Sequence, residues 1–536
     1  MIIGARMTKS ASILLTAWAI AALGAAPRAA AQAAHPKRDA ALQAVSGPVR
    51  VIVRTRAGQS SGLADALARR GRQVLRRHAI LDAFTALVSP EDLNAFDADP
   101  SILNISIDAV VSAASDGGGS ATSAPASTLL ATLGVGGGGL TGRGVGIGVI
   151  DSGIELNGDF AGVRFVDFTP LGSPNAYDDD GHGTHVSGLI AGSGALSNGS
   201  DGAPYAGVAP KARLLCLKVL DAHGVGQTSD VIAAIEYAIV NRVVLGIDVL
   251  NLSLGHPILE PAATDPLVRA VEAASRAGIT VVAAAGNVGR NIYTGEPGYA
   301  GILSPANAPS AIAVGAVDTK NTVSRGDDAV ASYSSRGPTM YDAAIKPDVV
   351  APGHNLVSDA APGGTLYGEH PDHQVTVKGA TARYFRMSGT SMAAAVTTGV
   401  AALVIEAART SRGASPPPAV VKAILEYTAL AVPGADALTQ GHGEINAAGA
   451  AALASSVGAA APAAWDPNTL PAPLTTIGDQ TLTWSQSLDG DTIVWGTAID
   501  GDTIVWGTTI VWGTTIVWGT AAGGDTIVWG TGIWDP

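Results

Sequence analysis

The apolar positions of this chain change period several times, and those changes divide it into segments. Val49 to Arg54 (VRVIVR) alternates apolar and polar residues, as a strand half-buried on one face does. Ser61 to Arg77 carries a helical pattern, and Ile80 to Val88 returns to strand. Ser89-Pro90-Glu91-Asp92 reads as a helix start, with serine as the cap and proline in the first turn. Ile102 to Ile107 closes the segment with a short strand. This alternation predicts a small α+β unit of ferredoxin-like type over residues 48–111.

Residues 112–139 are dominated by Ser, Ala and Gly, including Gly117 to Gly119 and Gly136 to Gly139, and are expected to form a flexible linker open to proteolysis. From 140 to 454 apolar strands recur between helix-length stretches. The strands are Val145 to Ile150, Leu214 to Leu220, Val249 to Leu254 and Thr280 to Ala284; the helices are Ser229 to Asn241 and Leu267 to Ala277. Repeated strand–helix–strand units predict an α/β domain with a parallel sheet covered by helices, and in such sheets working residues gather at the C-terminal strand ends. Residues 465–536 form a separate, tryptophan-rich tail. TIVWGT begins at Thr492, Thr503, Thr509, Thr515 and Thr526, and apart from Trp18 no tryptophan precedes Trp465. Such residues favour strands and self-association.

Composition adds compartment and excludes some partners. Over 536 residues, 47% are hydrophobic and 14% charged, which predicts a well-buried globular body. The net charge is −13 and no run of Lys or Arg stands out, so no nucleic-acid footprint is read. The single cysteine, Cys216, lies in an apolar run and reads as a buried structural thiol. Arg6 and Lys9 precede an apolar stretch from Ile13 to Ala26, and Ala31-Gln32-Ala33 fits a small-residue cleavage pattern. Residues 1–33 therefore predict a signal peptide and a secreted, extracellular product, with cell-surface association through the tail a further expectation.

Three local patterns carry chemistry: Val149-Ile150-Asp151-Ser152-Gly153, Asp180-Gly181-His182-Gly183-Thr184-His185, and Ser388-Gly389-Thr390-Ser391-Met392-Ala393 before an alanine-rich stretch. A serine hydroxyl needs an imidazole to take its proton and a carboxylate to fix the imidazole's tautomer. The order Asp, His, Ser differs from the His, Asp, Ser and Ser, Asp, His orders of other serine hydrolases, and the serine does not sit in G-x-S-x-G. Asp178 to Asp180 with His182 and His185 could instead hold a cation, but H-G-T-H is not the H-E-x-x-H of a zinc protease.

Taken together these motifs resemble the subtilisin-like (subtilase) serine proteases, over roughly residues 140–454. Asn251 to Gly255 resembles that family's substrate-binding edge, Ala284 to Asn287 its oxyanion motif, Ala351 to Gly353 its turn before the serine, and Gly441 to Asn446 its closing stretch. The resemblance implies a three-layer α/β fold with a mostly parallel sheet. It implies Ser391 as nucleophile, His182 as base and Asp151 as the group orienting it, with Asn287 holding the oxyanion. Ser253, Leu254, Gly255, Ala285 and Gly286 would bind substrate. Residues 48–111 resemble the family's inhibitory propeptide, so the chain is expected to be a self-processing zymogen, cut within Ser112 to Ser127, acting on protein or peptide substrates. No cofactor is expected for catalysis; a structural calcium ion is compatible with the resemblance, with no ligands assigned and Asp159 ambiguous. Ala395 and Val396 stand where the family usually has proline and often histidine, and Tyr367 to Arg386 reads as an inserted loop. The rival expectation is a surface-association protein working through the tail, with an inert protease domain.

Overall fold

The computed structural model describes residues 35–114, 127–135, 139–198, 204–291, 294–377 and 384–486, and four strands between 493 and 529. The leader at 1–33 and the middle of the expected linker lie outside these residues.

The N-terminal unit runs β1 (Val49–Thr55), α1 (Ser60–Arg69), β2 (Gln73–His78), β3 (Ala83–Val88), α2 (Pro90–Ala98) and β4 (Ile102–Ile107). Its antiparallel sheet has the order β2-β3-β1-β4. Ser89 and Asp92 form a reciprocal capping box at the start of α2. The helical pattern over Ser61 to Arg77 is half right: the helix ends at Arg69, Gly71 turns the chain with φ 76°, and Gln73 onward is strand. The strand forecast from Ile80 starts at Ala83, because His78 to Asp82 make the hairpin turn. Inside, Val51, Val53, Phe84, Leu93 and Ile105 pack as a separate small core.

The expected linker is structured at both ends. Val110–Ala113 forms β5, and Leu129–Thr132 forms the short helix α3, whose Leu129 is buried in the main core along with Leu133. Small residues made this stretch look unstructured. The strand forms because its backbone donors and acceptors are completed from two neighbouring edges, information absent from its own composition.

The main body continues with β6 (Gly146–Asp151), β7 (Arg164–Asp167), α4 (His182–Ala191), β8 (Arg213–Lys218), β9 (Val225–Gln227), α5 (Thr228–Leu245), β10 (Val249–Leu252), β11 (Leu254–Pro257), α6 (Pro266–Arg276), β12 (Thr280–Ala284), β13 (Leu303–Ser304), β14 (Ile312–Asp318), β15 (Ala329–Val330) and β16 (Val349–Pro352). The sheet order is β15-β14-β12-β10-β6-β8-β7, with β16 also paired to β14; every pairing is parallel except that of β15. The stretch read as one strand from Val249 to Leu254 is two, because Ser253 ends the parallel ladder and β11 turns away to a different sheet.

There follow β17 (Leu356–Asp359), α7 (Thr365–Glu369), β18 (Gln374–Val375), β19 (Tyr384–Met387), α8 (Thr390–Arg412), α9 (Pro418–Thr428), α10 (Ala437–Gln440), α11 (Ala447–Val457), β20 (Leu474–Ile477) and β21 (Gln480–Thr483). Helices α5 and α6 bury Val231, Ile235, Leu267 and Val271 against one face of the sheet. On the other face lie α4 and α8, with α9 and α11 in the same apolar cluster. Helix α8 is long and apolar enough to cross a bilayer, but it is buried from Thr390 through Ala408, as the central helix of a folded core. The described residues of the segment read as an inserted loop are organised: α7 leads into β18, and β19 pairs with both β17 and β18 in a small antiparallel sheet.

The boundary of the tail also moves. Trp484 is 3% exposed and donates to Thr475 Oγ1 at 2.7 Å, Ile477 is 1% exposed, and Trp465 and Trp484 stand edge-on to Tyr427. Residues 465–486 thus belong to the body, because their large apolar side chains complete its core. Beyond them, strands at Ile493–Trp495 and Ile504–Trp506 pair, as do Ile516–Thr520 and Thr526–Trp529.

Candidate active site

Parallel strands end together, and the candidate site lies at those ends. Asp151 is the last residue of β6 and is paired in register with Lys218 at the end of β8. His182 opens α4, and Ser391 lies in the first turn of α8. All three are fully buried. His182 Nδ1 is 2.7 Å from Asp151 Oδ1, which also accepts the Ser152 N–H at 2.7 Å. A carboxylate at Nδ1 keeps the proton on that nitrogen and leaves the Nε2 lone pair to act as base. Burial works against the imidazolium, but the charge and hydrogen bond of Asp151 outweigh it, so the His182 pKa is held above its ordinary value.

The supporting contacts explain the Asp-rich loop. Asp178 accepts from Ser152 Oγ at 2.9 Å, Gly181 N–H at 2.8 Å, Thr184 N–H at 2.8 Å and Thr184 Oγ1 at 2.6 Å. It ties the end of β6 to the start of α4. Asp180 accepts the His182 N–H at 3.0 Å, and burial pushes its carboxyl up to about 7. His185 turns away, with Nε2 3.2 Å from the Leu356 carbonyl and 3.0 Å from that of Phe385; burial pushes it down to about 3, so it is neutral. The two histidines therefore serve different neighbours. Asp159 Oδ1 accepts from Ser193 Oγ at 2.7 Å and the Leu196 N–H at 3.2 Å, and its Oδ2 accepts from Tyr384 Oη at 2.8 Å. Cys216 is buried in β8, and desolvation raises its thiol well above the ordinary value, an inert structural residue.

At the serine, Ser391 Oγ donates to the Ser253 carbonyl at 3.0 Å, and His182 Nε2 is buried without a hydrogen-bond partner among the described residues. Asn287 Oδ1 accepts from both the Thr390 N–H and Thr390 Oγ1, each at 3.0 Å. This orients the amide and leaves Nδ2 buried without a hydrogen-bond partner among the described residues, a fixed donor next to the residue that precedes the serine.

The last part of the site is a strand. β5 lies between β11 and β9, antiparallel to both. Ala113 N–H donates to the Gly224 carbonyl at 3.0 Å, Ala114 N–H to the Ser253 carbonyl at 3.1 Å, and Ser391 N–H to the Ala114 carbonyl at 3.2 Å. Ser253, Leu254 and Gly255 form one edge of this channel; Ala285 and Gly286 sit at the end of β12, leading into Asn287. Sequence reasoning brought these residues together but missed four others. Ala114 and Gly224 act through backbone atoms, which carry no side-chain signature. Thr390 is adjacent to the serine, yet its grip on Asn287 is visible only across 103 residues. Lys218 could have been flagged as a lone cation at the end of an apolar strand. It is fully buried, bonded to the Ser152 carbonyl, to Asp179 Oδ1 at 2.6 Å and to the Leu220 carbonyl at 2.8 Å, and lies over the Tyr177 ring.

A histidine held by a carboxylate, a serine in the first turn of a helix and an oriented amide stand at parallel strand ends in the chain order Asp, His, Ser, the set of groups that nucleophilic-serine chemistry needs. Comparison with known proteins agrees: residues 142–459 match the model of the subtilase family, Peptidase S8, and the chain belongs to that family. It is 42% identical over 274 residues to the serine protease AprX of Bacillus subtilis, spanning 50% of this chain and 58% of AprX. It is 37% identical over 336 residues to M-protease of Shouchella clausii, spanning 62% of this chain and 71% of that protein. Subtilisin E of Bacillus subtilis is 40% identical over 268 residues, half of this chain and 57% of the relative. In fold, the chain is similar to fervidolysin of Fervidobacterium pennivorans, with a TM-score of 0.59, 20% identity, and coverage of 79% of this chain and 64% of that one.

Proposed function

We propose that this chain is a secreted serine endopeptidase made as a zymogen. The observation that carries the reading is the buried Asp151–His182 pair, together with Asn287, whose amide is oriented by Thr390, the residue before Ser391, and keeps an Nδ2 donor without a partner among the described residues. In the reaction, the Ser391 hydroxyl leaves the Ser253 carbonyl and gives its proton to His182 Nε2 as Oγ bonds the substrate carbonyl carbon. The oxyanion takes hydrogen bonds from Ser391 N–H and Asn287 Nδ2. His182 returns the proton to the departing amine as the C–N bond breaks, and water then hydrolyses the acyl-enzyme by the same proton path. Substrate adds as a strand between β11 and β9, which asks for an extended backbone more than for one sequence.

The N-terminal unit is read as the inhibitory propeptide, supported by its separate core and by β5, which extends from it along the substrate channel. The leader pattern of 1–33 supports export. The repeat tail is read as an association element, supported by its paired strands; deletion from residue 487, rather than from 465, keeps Trp484 in the body and tests it cleanly.

The deciding test is casein hydrolysis by the full-length wild-type protein and by Ser391→Ala. Activity lost in the variant supports the reading. No activity in folded, processed wild type rejects it and moves weight to the tail as the working part.

A further inference from the structure

We infer that this chain cuts itself at the bond joining Ala114 to Ser115, and that Leu303 restricts the residue before the cut to small side chains. The inference rests on the proposed peptidase function and deepens it.

The register assigns the bond. Reading back from Ser391, the Ala114 carbonyl accepts the nucleophile's own N–H, which is one of the two oxyanion donors, with Asn287 Nδ2 the other. Ala114 N–H is spent on Ser253, while Ser112 and Ala113 lie opposite Gly255 and Leu254. On the far side Val111 lies opposite Gly226 and Val110 opposite Gln227. A carbonyl that accepts the nucleophile's own N–H lies where a serine attacks. Shifting the segment by one residue would reverse which side chains face the body. The existing register is the buried one: Val111 is 0% exposed, against Leu220, Val231 and Leu254 of the same cluster, whereas Val110 is 57% exposed.

The side-chain demand follows from Leu303. Its N–H donates to the Ala285 carbonyl at 3.0 Å, which sets it beside both walls that flank the substrate backbone. A Cβ placed on Gly255 would lie 3.1 Å from Leu303 Cβ, and one placed on Gly286 would lie 2.7 Å from Leu303 Cγ. Gly286 also has φ 110°, which side-chain-bearing residues rarely adopt. The isobutyl group thus occupies the slot between the two glycine walls, where the side chain preceding the cut must go. A methyl group such as that of Ala114, 7% exposed, asks for little of this space; a phenylalanine ring asks for all of it. Hydrolysis here breaks the Ala114 C–N bond, adds water, and leaves a carboxylate on Ala114 and an amine on Ser115.

The test uses the full chain expressed for secretion, with the mass of the released N-terminal fragment as readout. A fragment ending at Ala114 is expected from wild type and none from Ser391→Ala. Trimming of the mature end does not alter this readout. Ala114→Phe should slow processing about 100-fold, and Leu303→Gly in that background should recover most of the loss. On free peptides, wild type should prefer alanine over phenylalanine before the cut, and Leu303→Gly should narrow or reverse that preference. If Leu303→Gly does not fold, Leu303→Ala takes its place, and the wild-type peptide preference stands as an independent arm. A fragment ending elsewhere, or fast processing of Ala114→Phe, overturns the inference. Ser391-dependent casein hydrolysis in the same samples separates that outcome from failure of the peptidase reading.

Discussion

Asp108 fastens the N-terminal unit to the body, and removing it should loosen inhibition by an amount that can be worked out. Its carboxylate is 4% exposed. It accepts the Ser229 N–H at 2.8 Å and Ser229 Oγ at 2.9 Å in the first turn of α5, and Arg50 Nε at 2.9 Å from within its own unit. An anion at a helix N-terminus satisfies an otherwise orphaned N–H and meets the positive end of the helix dipole. Each charge-assisted hydrogen bond is worth about 1.5–3 kcal/mol and the lost cap about 1 kcal/mol, and these contributions are not additive. Arg50 loses little because its side chain is 39% exposed and rehydrates. The expected cost of Asp108→Ala is about 2–4 kcal/mol, or roughly 30- to 1,000-fold weaker inhibition. Asp108→Asn keeps an acceptor and should recover about half of it. The assay is inhibition of the processed enzyme by added N-terminal unit, wild type against variant, with circular dichroism to confirm that each unit is folded. An inhibition constant changed by less than about threefold, in a folded variant, would refute the claim that the cap holds the two parts together.

Further outcomes are expected elsewhere. Asn287→Ala should lower kcat with little change in KM; the magnitude of about 10²–10³ is the one known for subtilisin's own oxyanion asparagine, a relative of this chain. Docking of the N-terminal unit should weaken as pH rises. Burial pushes Asp39 up to about 6 and Glu260 up to about 7 at that boundary, where Asn104 Nδ2 donates to Glu260 at 2.8 Å. Raised carboxyl groups favour the docked state fully below their ordinary pKa, and that support is lost as pH climbs through about 6 to 7. Inhibition constants measured between pH 4 and 9 should therefore rise and then level off, and Glu260→Gln should flatten the profile. Glu406→Ala leaves the Thr141 and Gly142 N–H groups, now bonded at 2.7 and 2.6 Å, unpaired beneath α8. It should lower stability by about 2–3 kcal/mol, read from denaturant midpoints in the Ser391→Ala background.

Much of this protein is legible in one dimension. The apolar strands and the helix start at Ser89 follow from period and local chemistry, which act over a few residues. The order Asp151, His182, Ser391 and the asparagine at 287 are legible because each sits in a short, dense motif.

Other features needed three dimensions. Composition made residues 112–139 a linker, yet its first residues continue a strand held between β11 and β9, because the partners of that strand are backbone atoms at residues 224 and 253. Tryptophan content marked 465 as the start of the tail, but burial of Ile477 and Trp484 against the core moves it past 486. The pocket-lining role of Leu303 depends on two glycines, one 48 and one 17 residues away, whose missing side chains make room for it. Sequence determines which residues can do the chemistry. Only packing and backbone hydrogen bonding between distant segments decide which of them meet, and what the site will admit.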